Sequence, residues 1–277
     1  MIMEKAYAKL NLTLSVLGKR ADGFHELESI MVPVIDLYDE LYFEENETDE
    51  MILIDNFIEN NSILRAAKAF QEKYKTKGAK IRLNKRIPLE AGLAGGSADS
   101  SATLRGLNHL FNLNIPLSEL EELASMLGSD NVFCLYDEAA ICKGRGEQLT
   151  FINTDFSFNV YIVKPPFGLK TPEVFRNLEL NDTNKNSYDG VLKALNLNDY
   201  DLLNEEIYND LLPAALKVEN QLSDFINTLG KCGCKVFMSG SGSALYIVSE
   251  KNIDIKIKEN VYIGKHIIKN TVKDWLY

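Results

Sequence analysis

The sequence predicts a mixed fold of β-strands and α-helices, and three stretches carry that reading. Ala6 to Leu17 alternates apolar and polar residues without a break, the period of a half-buried strand. Ser62 to Lys77 and Ser118 to Leu127 repeat apolar residues at the spacing of amphipathic helices. Between them, Pro88-Leu-Glu-Ala-Gly-Leu-Ala-Gly-Gly-Ser-Ala98 is a run of small residues opening onto a third helical pattern.

In the first strand, Ala6, Ala8, Leu10, Leu12, Leu14 and Val16 share one face, and Tyr7, Lys9, Asn11, Thr13 and Ser15 share the other. Lys9 and Asn11 are therefore neighbours on the polar face, roughly 6.6 Å apart. Periodicity alone makes that face solvated. Asp22-Gly23 marks a tight turn, and Ile30 to Phe43 reads as further strand, interrupted at Pro33. Ile63, Ala67, Phe70 and Tyr74 line the first helix, with Gly78 as its stop. Lys80 to Leu83 is a short strand leading into the glycine-rich run.

That run is physically suited to an anion. Gly92, Gly95, Gly96 and the alanines Ala91, Ala94 and Ala98 leave little side chain over the backbone N–H groups. A helix follows at once, with Leu104, Leu107 and Phe111 on one face and Ser97 placed to cap it. Loop and helix start together make a phosphate site; the simpler alternative is a tight turn with a capped helix. Neither the P-loop lysine nor the dinucleotide glycine pattern is present. In the next helix Ser118 and Glu121 suggest a capping box, Leu120, Leu123 and Leu127 a stripe, and Gly128 a stop. Asp130, just beyond, reads on composition as the cap of a following turn.

A polar stretch at Phe151 to Phe158 precedes a new strand at Asn159 to Lys164. Asn181 to Ser187 is a polar loop, and helical patterns fill much of Ser187 to Thr228. Lys235-Val-Phe-Met-Ser-Gly-Ser-Gly-Ser-Ala244 is a glycine turn between two strands, on its own a plain hairpin. The net charge of −10 argues against a nucleic-acid partner, and no apolar run is long enough to cross a membrane. No signal-peptide pattern occupies Met1 to Lys9, and the four cysteines and three histidines lack metal-site spacing. Buried reduced thiols and a cytoplasmic location are the expectations.

The loop also resembles the second motif of the GHMP kinases, whose consensus is met by Pro88, Gly92, Leu93, Gly95, Gly96 and Ser97. Ala8-Lys-Leu-Asn-Leu12 and Gly18-Lys-Arg-Ala-Asp-Gly-Phe-His-Glu-Leu27 are similar to the opening of the branch that acts on a cytidine diphosphate-linked methylerythritol. Phe24 stands where that branch has tyrosine, which keeps the ring and loses a hydroxyl. Gly128-Ser-Asp-Asn-Val-Phe133 aligns with the element that carries the family's catalytic aspartate, with Asn131-Val132 in place of Val-Pro. Lys143-Gly-Arg-Gly-Glu147, the Thr171-Pro172-to-Phe175 element and the glycine turn at 235–244 complete the pattern in order.

The resemblance implies an α+β fold of two lobes across a cleft: an ATP-binding lobe over 1–154 and a C-terminal lobe over 155–277. It implies ATP-dependent phosphorylation of the 2-hydroxyl of 4-diphosphocytidyl-2-C-methyl-D-erythritol, with ATP and Mg²⁺. Asp130 would be the base, with Lys9 beside it and near the reacting oxygen. Pro88, Leu89, Glu90, Ala91, Gly92, Leu93, Ala94, Gly95, Gly96, Ser97 and Ala98 would hold the nucleotide, Ser97 being the candidate Mg²⁺ ligand. Asn11 and Thr171 would bind substrate, Phe24 and Phe175 would sandwich the cytosine, and His25 would read its edge. Glu90 and Asp99 are unusual so near a phosphate, and Asp99 is expected to point away or act through Mg²⁺. The partner is a small molecule, with no nucleic acid or membrane, and the chain a monomer or weak homodimer. Alternatives are a homoserine- or mevalonate-type kinase of the same group, or a catalytically silent nucleotide-binding relative.

Overall fold

The computed structural model describes residues 1–54, 61–180, 187–257 and 261–272. The polar loop expected at Asn181 to Ser187 lies almost wholly outside the described residues. The N-terminal half runs β1 (Ile2–Asn11), β2 (Thr13–Lys19), β3 (His25–Glu45), β4 (Ile52–Ile54), α1 (Ser62–Tyr74), β5 (Ala79–Asn84), α2 (Gly95–Leu110), α3 (Leu117–Leu127), α4 (Asn131–Tyr136), β6 (Ala140–Gly144) and β7 (Gln148–Phe151). The C-terminal half runs β8 (Ser157–Lys164), α5 (Thr171–Arg176), α6 (Asp189–Leu197), α7 (Tyr200–Glu206), β9 (Tyr208–Asn209), α8 (Leu212–Val218), α9 (Gln221–Gly230), β10 (Phe237–Met238), β11 (Leu245–Val248) and β12 (Tyr262–Lys269).

The long strand β3 is the axis of the molecule. It pairs antiparallel with β1, β2, β5 and β6, and through Ile268↔Val34 with β12. β12 in turn pairs with β8, then β11 and β10, so the C-terminal strands extend from the same framework. Helices α1 to α4 cover one core with Leu41, Phe43, Phe70, Leu104 and Phe133 buried. A second core joins Leu10, Leu12 and Ile30 to Val160, Ile162, Tyr246 and Ile268. A third lies under α8 and α9, around Val163, Leu222 and Leu245. Each large apolar side chain removed from water contributes about 1.5–3 kcal/mol, so the junction between the halves is held as a core is held.

Several expectations need correction. The polar face of the first strand is not solvated: every residue from Ala6 to Val16 is buried, Lys9 at 3% and Asn11 at 1% exposure. That face is covered by the glycine-rich loop and the 239–244 turn, and a bend at Leu12 divides the stretch into β1 and β2. Pro33 does not interrupt β3. It sits opposite Lys9, whose N–H is donated to Leu93 O, so the ladder asks no donor of proline there. The irregularity comes instead between Tyr7 and Ala8, opposite residues 35–37.

Helix starts also differ from expectation. α1 ends at Lys75 in the left-handed region, and Gly78 serves packing, since a Cβ there would lie 2.4 Å from Thr48 and Glu50 carbonyl oxygens. α2 begins two residues before Ser97, on Ala94 at φ +58°, without a side-chain cap. The Ser118–Glu121 capping box does not form: α3 starts after Pro116, and Glu121 accepts from the Tyr136 hydroxyl. Cys134 and Cys142 are buried as expected, but Cys232 is exposed and Cys234 only partly covered. Among the described residues no helix is long and apolar enough to cross a membrane.

Candidate active site

The loop from Pro88 to Ala94 joins β5 to α2 and turns its carbonyls outward. Ser243 N–H and Leu169 N–H donate to Glu90 O, and Ala244 N–H donates to Ala91 O. Ser239 Oγ and Lys9 Nζ donate to Gly92 O at 3.0 and 3.1 Å, and Lys9 N–H to Leu93 O. With those carbonyls engaged, the N–H groups of Gly92 through Ser97 find no acceptor among the described residues. Positive φ at Glu90, Gly92 and Ala94 produces the alternation of the chain path. Gly92 is obligatory twice over: φ is +73°, and a Cβ would stand 2.1 Å from Ser239 O. A row of unpaired N–H groups at the start of a 16-residue helix is an anion site.

Both acidic residues that seemed out of place point elsewhere. The Glu90 side chain leans over Gly168. Asp99 lies in the second turn of α2 and pairs with Lys85 Nζ at 2.6 Å, while Asp39 pairs with the same nitrogen at 2.7 Å. Asp39 also accepts the N–H groups of Arg86 and Ile87, fixing the entry to the loop. Burial pushes Asp99 up to about 7 against the pull of Lys85, with Asp39 adding to the rise. One lysine thus serves two acids, which burial alone would leave uncompensated.

Below the loop sit the residues expected to do chemistry. Lys9 Nζ donates to Asn11 Oδ1 at 2.6 Å and stands 3.5 Å from Asp130 Oδ2. Asn11 is fixed at both amide ends, because its Nδ2 donates to Ser29 Oγ and Ser29 donates to Thr13 O. Asp130 occupies the position before α4, yet its side chain makes no capping bond and is 30% exposed. Its carboxylate is free to face the cleft.

At the far end, His25 stacks on Phe175, ring centroids 4.9 Å apart. Phe24 is 49% exposed and lies under the Arg145 guanidinium, 5.0 Å from its ring centroid. Burial and the nearby Lys19 lower the His25 pKa, which keeps the imidazole neutral at pH 7. Thr171 Oγ1 is 2.8 Å from Ser241 Oγ, tying the start of α5 to the 239–244 turn. All these residues, with Pro88 to Ser97, line one cleft of about 1010 Å³. Ala98 does not: it is buried in the helical core at 1% exposure. Sequence reasoning missed Lys85, Asp39, Ser29 and Ser239. Ser239 lay inside the third motif, but a lysine shared by acids far apart in sequence leaves no local signal.

The comparisons with known proteins can now be set beside this geometry. Family models match at residues 61–138, for the GHMP kinase N-terminal domain, and 191–263, for the GHMP kinase C-terminal domain. A Staphylococcus haemolyticus protein, provisionally assigned as 4-diphosphocytidyl-2-C-methyl-D-erythritol kinase, is 40% identical over 272 residues, 95% of this chain and 96% of that protein. The chain belongs to the GHMP kinase family. Within the family, a Staphylococcus aureus relative with the same provisional assignment is also 40% identical, over 95% of this chain and 94% of its own length. A crystal structure of 4-(cytidine 5'-diphospho)-2C-methyl-D-erythritol kinase superposes with a TM-score of 0.81 at 28% identity, covering 96% of this chain and 99% of its own. Homoserine kinase from Cytophaga hutchinsonii, at 16% identity, 97% and 96% coverage and a TM-score of 0.70, shares the fold. The GHMP kinase fold and ATP as cosubstrate follow from this membership.

Proposed function

We propose that this GHMP kinase transfers the γ-phosphoryl group of ATP to the C2 hydroxyl of 4-diphosphocytidyl-2-C-methyl-D-erythritol, in the methylerythritol route to isoprenoid precursors. The observation that carries it is the partly exposed Asp130 carboxylate, which caps no helix and pairs with buried Lys9, in a cleft with an N–H-lined loop at one end and the His25–Phe175 stack at the other. The near full-length similarity to kinases assigned to that substrate supports the choice of acceptor.

The roles follow from position. The N–H groups of Gly92 to Ser97 would bind the phosphates and hold them by the helix start. The acceptor hydroxyl would donate its proton to Asp130 as its oxygen attacks the γ-phosphorus and ADP departs. Lys9, held by Asn11 and Gly92 O, would face the same oxygen and offset the charge that develops there. Phe24 and Phe175 would offer flat faces for a pyrimidine, and neutral His25 can read a base edge by hydrogen bonding.

The chemistry also asks for Mg²⁺. Among the described residues no cluster of three His, Cys, Asp or Glu side chains could hold a metal. That suits Mg²⁺ of this kind, which takes one or two protein oxygens, substrate phosphates and water. Ser97, a hard oxygen donor at the helix start and on the cleft wall, fits as one ligand. Asp99 does not fit, because its carboxyl is buried against Lys85. When bound, the ion would neutralise phosphate charge. ADP release with the cytidine substrate, set against homoserine, mevalonate and galactose, tests the reading. Turnover of the cytidine substrate alone is the expected result. Turnover of another alcohol would move the assignment within the family, and no turnover of any would leave a silent relative.

A further inference from the structure

We propose that Arg105 is a positioning residue for phosphoryl transfer, setting the Asp130 carboxylate against Lys9 from the far end of their elements; this rests on the roles just given to that pair. Arg105 lies on α2, is 2% exposed and does not line the cleft. Its guanidinium reaches both elements that carry the pair. Nη1 donates to Cys134 O at 2.7 Å and to Leu135 O at 3.1 Å, near the end of α4. Nη2 donates to Lys5 O on β1 at 2.8 Å. Nε donates to Glu4 Oε2 at 3.3 Å, and Nη2 stands 3.3 Å from Asp137 Oδ2, on the residue that closes α4. The other Glu4 oxygen is 2.7 Å from Nδ1 of His109, one turn further along α2.

The path from this group to the chemistry is short. Cys134 N–H donates to Asp130 O at 3.0 Å, so the carbonyl gripped by Arg105 and the backbone of Asp130 belong to one helical turn. On β1, Lys9 lies four residues beyond Lys5, about 13 Å along a strand paired with β3. α4 is six residues long and Asp130 makes no capping bond, so the helix brings little rigidity of its own. The last carbonyls of a helix have no partner within it, and Arg105 supplies one for two of them. Ser101 Oγ, also on α2, donates to Asn131 O at 2.7 Å at the other end of α4. α2 thus grips α4 at both ends, and Arg105 joins β1 to the same grip. A planar fork of five donors makes these contacts at once; a lysine ammonium in its place cannot.

The competing account is that Arg105 only stabilises, since removing one partner from a buried ionic group destabilises a protein whatever the group does. Two variants separate the accounts. Arg105→Lys keeps the charge between Glu4 and Asp137 and loses the fork. The triple variant Glu4→Gln, Arg105→Met, Asp137→Asn removes the buried charges together, and asparagine tolerates the φ of +50° at 137. Steady-state kinetics with ATP and the cytidine substrate are measured for both, with Asp130 present and with Asp130→Asn, at a temperature where circular dichroism shows every variant folded.

Misplacing a reacting group by about 1 Å costs up to about a hundredfold, so each variant should lower kcat by about ten- to a hundredfold, more than it changes either KM. In the Asp130→Asn background the same changes should lower the residual kcat by less than about twofold, because the carboxylate they displace is gone. A wild-type kcat in both variants, with or without a lower melting temperature, overturns the proposal and leaves Arg105 a stabilising residue. Equal losses in both backgrounds overturn it as well, since Arg105 would then act apart from Asp130. Failure of the base assignment reads differently: Asp130→Asn alone would keep most of kcat, and the positioning role would fall with it.

Discussion

Lys9 Nζ lies 3.5 Å from Asp130 Oδ2, and the two groups reach that distance from the C-terminal end of β1 and the residue before α4. Lys9 is buried and held by two further acceptors, whereas Asp130 is partly open and makes no cap. The asymmetry suits a fixed cation beside a base that must meet substrate.

Asp130→Asn should therefore lower kcat by about 10²- to 10⁴-fold while both KM values and the melting temperature stay near wild type. Asparagine keeps the shape, and no capping bond is lost because none is made. Lys9→Met should show a similar kcat loss, and the double variant should be far less than additive if the pair acts as a unit. Steady-state kinetics with thermal unfolding decides the matter. Most of kcat surviving in Asp130→Asn would mean that positioning and charge suffice for transfer.

Gly92→Ala is expected to damage ATP binding through the backbone. The added Cβ meets Ser239 O at 2.1 Å, and φ is +73°, so the loop and the 239–244 turn must separate. Apparent KM for ATP should rise steeply while the protein remains folded by circular dichroism, because the helical core is untouched. An unchanged KM for ATP would remove the loop from the nucleotide site.

Phe175→Ala should weaken the cytidine substrate by roughly tenfold or more, since a base–aromatic stack is worth about 1–3 kcal/mol. Loss of its stack on His25 should also loosen the imidazole. KM for ATP should hardly change. Equal weakening of both substrates, with a lower melting temperature, would make Phe175 a core residue only.

Much of this was legible along the chain. The strand at β1, the glycine-rich loop, α3 and its Gly128 stop, the strand at β8 and the hairpin at 237–248 all follow from local pattern. What pattern could not show was which surfaces meet. The polar face of β1 reads as solvated until the loop and the 239–244 turn are laid over it, and then Lys9 and Asn11 become buried and partnered. Ser97 looked like a cap because serine is a good one, yet the helix starts earlier, where glycine and a left-handed alanine let the loop turn. The Lys85 group needed three distant residues brought together, Asp39 and Asp99 with the lysine between them.

That last group makes a prediction for stability against pH. Burial raises the Asp99 pKa from 3.8 to about 7, so between those values the folded chain keeps a proton that the unfolded chain has released. Stability from this residue is therefore full below about pH 4, falls as pH rises through the window, and is lowest above pH 7. Asp99→Asn removes the titration and leaves an oxygen that still accepts from Lys85. The melting temperature of Asp99→Asn should stay nearer constant from pH 4 to 8, crossing the wild-type curve and lying above it at pH 8. Asp137, fully buried and also pushed up to about 7, tilts both curves in the same direction, so the difference between them isolates Asp99. Parallel curves would show that Asp99 is ionised throughout, its charge fully compensated by Lys85, and that the lysine rather than a proton neutralises the second acid.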